Sequence, residues 1–330
     1  MAVSRWNCER ERNPDTQTHS WGWTVDRRQL FKGALAGTLS LFAAPILRAA
    51  QQGSPVAVRK LTDRIALIDV EGSNVVAFSA DGVVLVDTGA PKTVDALIAA
   101  LNGFAPNRKV QTVFNTHYHL DHTGNNETFA AAGAKIIAHD RTRQWMANDY
   151  WLPDQDRYEK ARPKAAWPTE SFFDTGSMTV GGEHIDYGHL VMAHTSGDIY
   201  VHFKDSNVLV VGDVASPVND PELDWIAGAW IGGRVDSMDL LLKVSNDQTK
   251  VIPGAGPVMT RAEFKAERDM MEEIRSRLWK EVREGDGPLD MLEAGVLKGL
   301  ARTWKDPYKF LYAAAKGLWA NHNKLDPNVV

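Results

Sequence analysis

A chain of 330 residues with 44% hydrophobic and 24% charged positions is long enough to bury a large core and has the composition of an ordinary globular protein. The first 50 residues carry a net charge of +3, which leaves −8 of the total −5 on residues 51–330, and an acidic body argues against nucleic acid as a partner. Cys8 is the only cysteine, so beyond residue 50 the chain has neither a disulfide nor a thiolate metal ligand.

Residues 1–50 read as a targeting segment. Asp26-Arg27-Arg28-Gln29-Leu30-Phe31-Lys32 resembles the twin-arginine export motif, and a weakly apolar run, Gly33–Leu47, leads to Ala49-Ala50, where a peptidase could cut. That run is too short to span a bilayer, so no stable membrane anchor is expected. The segment predicts the twin-arginine machinery as a partner and a periplasmic or secreted destination.

From Gln51 the pattern turns strand-rich. Val56–Lys60, Ile65–Val70, Asn74–Ser79 and Val83–Val86 alternate or run apolar between turn residues. Asp87-Thr88-Gly89 ends the last strand, and Pro91 opens a helix to about Leu101. A strand at Val110–Phe114, a helix near Asn126–Ala132 and a strand at Lys135–Ala138 follow. A second strand series covers Ser177–Val191, Ile199–Phe203 and Val208–Val211, with a helix over Ser237–Val244 and a short strand at Lys250–Ile252. After Gly256-Pro257 the chain becomes helical: Thr260 and Glu263 fit a capping box for a helix to about Arg283. Two more helices are expected, near Leu289–Trp304 and Pro307–Asn321, with Trp279, Trp304, Trp319, Phe310 and Tyr312 as packing residues. The organisation predicted is a body over residues 51–258 and a C-terminal helical extension over 259–330.

The densest chemistry lies in His117-Tyr118-His119-Leu120-Asp121-His122, directly after the strand Val110–Phe114. Alternate side chains of an extended segment share a face, so His117 and His119 can converge on one cation while Asp121 and His122 diverge toward a second. Imidazole with carboxylate suits zinc or another first-row metal, iron and manganese included. His194, in Ala193-His194-Thr195-Ser196-Gly197-Asp198, and Asp213, in Val211-Gly212-Asp213, stand at other strand ends, where loops can gather ligands on one edge. Asp198 is a candidate for orienting a ligand imidazole. His139, His184, His189 and His202 read as structural or surface residues.

With these residues in place, the chain resembles the metallo-β-lactamase-fold superfamily over about residues 56–258. Its His-x-His-x-Asp-His motif is matched in full by His117, His119, Asp121 and His122. The resemblance implies an α/β fold, a four-layer αββα sandwich. It also implies a first metal site of His117, His119 and His194, a second with Asp121 and His122, and Asp213 bridging both. Asp87, in Asp-Thr-Gly, would support a ligand from behind. Aspartate at 213, where one β-lactamase branch has cysteine, leans toward the glyoxalase-II and lactonase-like branches.

One position departs from the family pattern. The family's last ligand is a histidine in Pro-Gly-His-Gly-Pro, and here that residue is Ala255. The second site is then weak, or another group such as His322 fills it, or activity has been lost. The chemistry implied is a zinc-dependent hydrolase in which metal-bound hydroxide attacks an ester, thioester, lactone or β-lactam carbonyl of a small-molecule substrate, with Asp121 taking or orienting the proton. Trp225–Trp230 and Asn148–Trp151 are candidate pocket walls. A mononuclear iron enzyme of the persulfide-dioxygenase type and a non-catalytic metal-binding module are the alternatives.

Overall fold

The computed structural model of the protein describes residues 56–321; residues 1–50, where a targeting segment is expected, and His322 lie outside the described residues. Strands β1 (Ala57–Lys60), β2 (Ile65–Val70), β3 (Ser73–Ser79) and β4 (Val83–Val86) form an antiparallel run. Helix α1 (Val94–Phe104) then crosses to β5 (Val110–Phe114), parallel to β4. Helices α2 (Leu120–Thr123) and α3 (Asn126–Ala131) lead to β6 (Lys135–His139), helix α4 (Asp140–Ala147), the hairpin β7 (Tyr150–Leu152) and β8 (Arg157–Glu159), and β9 (Glu170–Phe172). The second half contributes β10 (Thr175–Val180), β11 (Glu183–Leu190), β12 (Asp198–Phe203), β13 (Val208–Gly212), α5 (Ile231–Val244) and β14 (Lys250–Pro253). Helices α6 (Arg261–Glu284), α7 (Pro288–Glu293) and α8 (Pro307–Asn321) follow.

Two large sheets result, ordered β1-β2-β3-β4-β5-β6-β9 and β10-β11-β12-β13-β14, beside the separate two-stranded β7-β8 sheet. Period-2 alternation divides each strand between two cores. Ile65, Leu67, Val84, Val86 and Phe114 meet Ile199, Val201, Val208, Val210 and Ile252 between the sheets. Their strand neighbours Ile68, Val70, Val83 and Leu85 point the other way, onto Leu97 and Leu101 of α1 and Phe129 of α3. On the far side, Leu209, Val211 and Val251 pack under α5, α6 and α8. The layers are therefore α, β, β, α, as the resemblance implies. Among the described residues no helix is long and apolar enough to cross a membrane.

Several element ends differ from the sequence expectation for local reasons. The α1 helix starts at Val94, not at Pro91, because Lys92 takes a left-handed φ of 70° and Pro91-Lys92 form a turn. The helix expected to reach Trp304 stops at Glu293, where Gly295 and Gly299 adopt φ of 75° and 79°. In α5, by contrast, Gly232 and Gly233 lie inside the helix, packed so tightly on Trp230 that a Cβ on either would clash with its indole. The capping box forms as expected: Thr260 Oγ1 accepts from Glu263 N, and Glu263 returns a carboxylate oxygen to Thr260 N at 2.7 Å.

Candidate metal centre

The C-terminal ends of β4, β5, β13 and β14, together with the β11–β12 turn, lie on one edge of the sandwich. That edge is where Asp87, His117, His119, His194, Asp213 and Ala255 emerge. Parallel strands deliver their C-terminal loops to one place, so residues far apart in sequence become neighbours.

The geometry is that of a cation site. Donor atoms of His117, His119 and His194 lie within 4.8 Å of one another, and so do those of His117, His122 and Asp213. Hydrogen bonds on the outer nitrogens decide the tautomers. His194 Nδ1 donates to the Glu222 carbonyl at 2.9 Å, and His119 Nε2 donates to Asp224 Oδ2 at 3.1 Å. His122 Nδ1 donates to Asp87 Oδ2 at 2.9 Å. Thr116 Oγ1 gives its proton to Asp87 at 2.7 Å and so accepts from His117 Nδ1 at 3.0 Å. In its neutral, metal-binding form each imidazole carries its one proton on that outer nitrogen, so the four inner nitrogens then present lone pairs. His194 Nε2 and His119 Nδ1 face each other at 3.0 Å, and His117 Nε2 is buried with no hydrogen-bond partner. Nitrogens this close need a shared proton or a metal ion between them, and neutral imidazoles with a carboxylate are a donor set that a first-row metal takes.

His117 is common to both groups, and Asp213, a member of the second, also lies against His194 of the first. Asp213 Oδ2 lies 3.5 Å from His122 Nε2, 3.6 Å from His194 Nε2 and 3.8 Å from His117 Nε2. Burial favours protonating Asp213, yet the three histidines outweigh it and hold the carboxyl well below its ordinary range. Burial also opposes charge on His122, but Asp213 and Asp87 prevail and raise its pKa. His117 is driven well below its ordinary value by burial and then by the neighbouring histidines. The backbone makes room for this packing at Gly254, where a Cβ would stand 1.9 Å from Asp213 Oδ1 and 2.8 Å from His122 Cε1.

The second half is more open. Asp121 is 57% exposed, with Oδ2 3.6 Å from His122 Nε2. Asp121, His122, Asp213 and Ala255 line a cavity of about 300 Å³ together with Glu71, Asp220 and Glu222. Ala255 thus stands at the cavity wall with no donor to offer.

Residues 68–258 match the family model described as the metallo-beta-lactamase superfamily. The chain belongs to that superfamily. Among curated relatives it is 25% identical over 197 residues to the 2,4-dinitroanisole O-demethylase subunit alpha of Nocardioides sp. (strain JS1661), covering 58% of this chain and 54% of that protein. It is 27% identical over 157 residues to the human acyl-coenzyme A thioesterase MBLAC2, covering 42% and 53%. The chain thus matches about half the length of these superfamily relatives. A solved metallo-beta-lactamase from Pontibacter korlensis superposes with a TM-score of 0.54 at 16% identity, covering 66% of this chain and 99% of that one. The sec-alkylsulfatase Pisa1 from Pseudomonas sp. superposes with a TM-score of 0.59 at 14% identity, covering 81% and 50%. These two likenesses concern the fold.

Some supporting residues of this superfamily member escaped the sequence reading. Asp198 does not orient an imidazole; it accepts the backbone N–H groups of His194 and Thr195 at 2.6 and 2.8 Å, and the Glu222 carbonyl takes the ring proton instead. Asp224 holds His119 and also accepts from the Tyr118 hydroxyl. Of the expected pocket walls, Tyr150 and Trp225 do line a cleft of about 600 Å³ beside His119, but Trp230 is buried in the core. His139 and His189 stack at 3.7 Å away from the centre, and His184 pairs with Asp205 on the surface.

Proposed function

We propose that the chain is a zinc-dependent hydrolase acting on the carbonyl of a small acyl substrate, an ester, thioester, lactone or β-lactam. The observation that carries this reading is the convergence of four imidazole lone pairs and the Asp213 carboxylate, each imidazole held from behind by an acceptor. Residues His117, His119 and His194 would hold the first metal, with Asp213 shared. Asp121, His122 and Asp213 offer a second, weaker place. Zinc, when bound in such a site, lowers the pKa of a water ligand toward about 7 and polarises a substrate oxygen.

The chain's own residues supply the rest. Asp121, exposed at the cavity mouth, accepts the proton that the attacking water gives up. Tyr118, whose phenol is raised by burial and then by Asp224, stays protonated and fixes that carboxylate on His119. The cleft beside His119 has Tyr150, Leu152, Trp225, Ile226, Phe310 and Tyr312 in its wall, interleaved with charged residues such as Asp154, Asp220 and Lys309, and its apolar part suits an acyl or aryl group. The thioesterase among the relatives supports the same class of substrate.

The test is a panel of esters, thioesters, lactones and β-lactams offered to the metal-loaded full chain. Turnover of at least one, lowered about 100-fold by Asp121→Asn with the metal retained, is expected. No turnover of any member would sink the hydrolase reading. A mononuclear iron oxygenase is the second reading, because His117, His122 and Asp213 also form a two-histidine, one-carboxylate set. Iron in the purified protein, with oxygen consumed in the presence of a thiol persulfide, would favour it.

A further inference from the structure

The segment from Asp213 to Asp224 touches the centre at three places. The Asp213 carboxylate lies within it, the Glu222 carbonyl holds His194 and the Asp224 carboxylate holds His119. The segment is irregular, with neither helix nor strand after β13. Its anchors come from helices packed on the outer face of the second sheet. Arg234 of α5, fully buried, donates to the Glu222 carbonyl at 3.1 Å and to Ser216 Oγ at 2.8 Å. Glu267 of α6 accepts from Ser216 N at 2.8 Å, and the same oxygen lies 3.8 Å from Arg234 and 3.7 Å from Arg302. Arg302, between α7 and α8, donates to the carbonyls of Ser216 at 2.7 Å and Asn219 at 2.6 Å.

A fully buried guanidinium is costly unless its charge and donors are met. Arg234 has one buried carboxylate at 3.8 Å for its charge and two acceptors on the segment for its terminal nitrogens, while its Nε has no hydrogen-bond partner. The Arg234 Nη1 proton and the His194 Nδ1 proton land on one carbonyl oxygen, so two hydrogen bonds join α5 to a ligand of the centre. Two arginines around one glutamate leave a net positive charge beneath a segment rich in carboxylates, which holds it down electrostatically as well as by hydrogen bonds.

We propose that Arg234, Glu267 and Arg302 are positioning residues of the metal centre, and that the C-terminal helices govern metal affinity by clamping the Asp213–Asp224 segment. This rests on the reading that the histidine cluster holds a metal. None of the three belongs to the donor cluster; Arg234 acts through the Glu222 carbonyl that holds His194, and Glu267 and Arg302 act through Ser216 and Asn219 of the segment that carries Asp213, Glu222 and Asp224.

The experiment uses the full chain and zinc alone, with affinity read by competition against a chromophoric chelator and melting temperature read on the metal-free protein. Arg302→Gln and Arg234→Lys are expected to weaken zinc about 10-fold or more, and Arg302→Lys to recover part of the loss. The visible spectrum of cobalt-substituted Arg302→Gln should shift as ligand geometry loosens. Arg277→Gln is the control, because Arg277 ties α6 to the Val296 and Lys298 carbonyls without reaching the segment. It should lower the melting temperature and leave zinc affinity unchanged. Equal loss of affinity in Arg277→Gln, or unchanged affinity in both clamp variants, would overturn the proposal. Wild-type protein that bound no zinc would overturn it together with the metal reading, whereas wild type that bound zinc without hydrolysing the acyl panel would leave it standing.

Discussion

The two halves of the centre are built to different standards. Around His117, His119 and His194 every outer nitrogen has an acceptor, and His117 and His194 are fully buried. Around Asp121 and His122 only His122 is fixed, by Asp87, while Asp121 is more than half exposed and Ala255 contributes a methyl group. A ligand whose orientation is set before the cation arrives loses little entropy on binding; an exposed one must be ordered at that moment. The contrast is that of a prebuilt site with one assembled on demand.

The largest effect should come from breaking the prebuilt half. His117→Ala removes the one donor common to both groups and should weaken the first metal more than about 100-fold. A loss equal to that of Asp121→Asn would mean that the halves are equivalent. Next comes Ala255→His, which should raise zinc stoichiometry from one toward two per chain by elemental analysis; two zinc ions already present in wild type would erase the distinction. Asp224→Asn should cost about 10-fold in affinity, with His119 less firmly held. The smallest effect lies away from the centre. His139 has its pKa lowered to about 4, first by burial and then by His189. Its folded value lies below the unfolded value of about 6.5, so the unfolded chain binds the extra proton between them. The contribution of His139 to stability is therefore complete above pH 6.5 and is lost as pH falls toward 4, by about 1–2 kcal/mol once solvent screening of a half-buried ring is allowed for. His139→Gln should flatten that decline in thermal melts taken from pH 7 to pH 4.

The ligands of both halves were legible in sequence, whereas most of what supports the prebuilt half was not. Strands Ile65–Val70, Val83–Val86 and Val110–Phe114 carry apolar or β-branched runs broken only at Asp69 and Gln111, and they form at the residues the pattern indicates. His117, His119, Asp121 and His122 stand out because the spacing of a strand end concentrates them. Asp224, Glu222 and Arg234 do not stand out, for a physical reason. Glu222 acts through its backbone carbonyl, which any residue would provide, and Asp224 and Arg234 are single charged residues with no motif around them. Their roles arise only when the Asp213–Asp224 segment folds back over the histidines. The first part of α5 was hidden for another reason: Gly232-Gly233 reads as a loop, whereas close packing against Trp230 is what requires glycine. The short helix α4, cradled at its start by His139 Nδ1 accepting from Arg141 N, is polar enough that its periodicity is weak.

Gly254 has a consequence for how this turn can change. A side chain at that position would occupy the space of the Asp213 carboxylate, so even alanine there would evict a ligand instead of merely crowding a loop. The adjacent residue faces open cavity and is free of that restriction. Within two consecutive positions the chain therefore holds one residue that tolerates nothing and one that tolerates much. The number of metals the protein carries can drift through Ala255 while the geometry of the first site stays pinned by its neighbour.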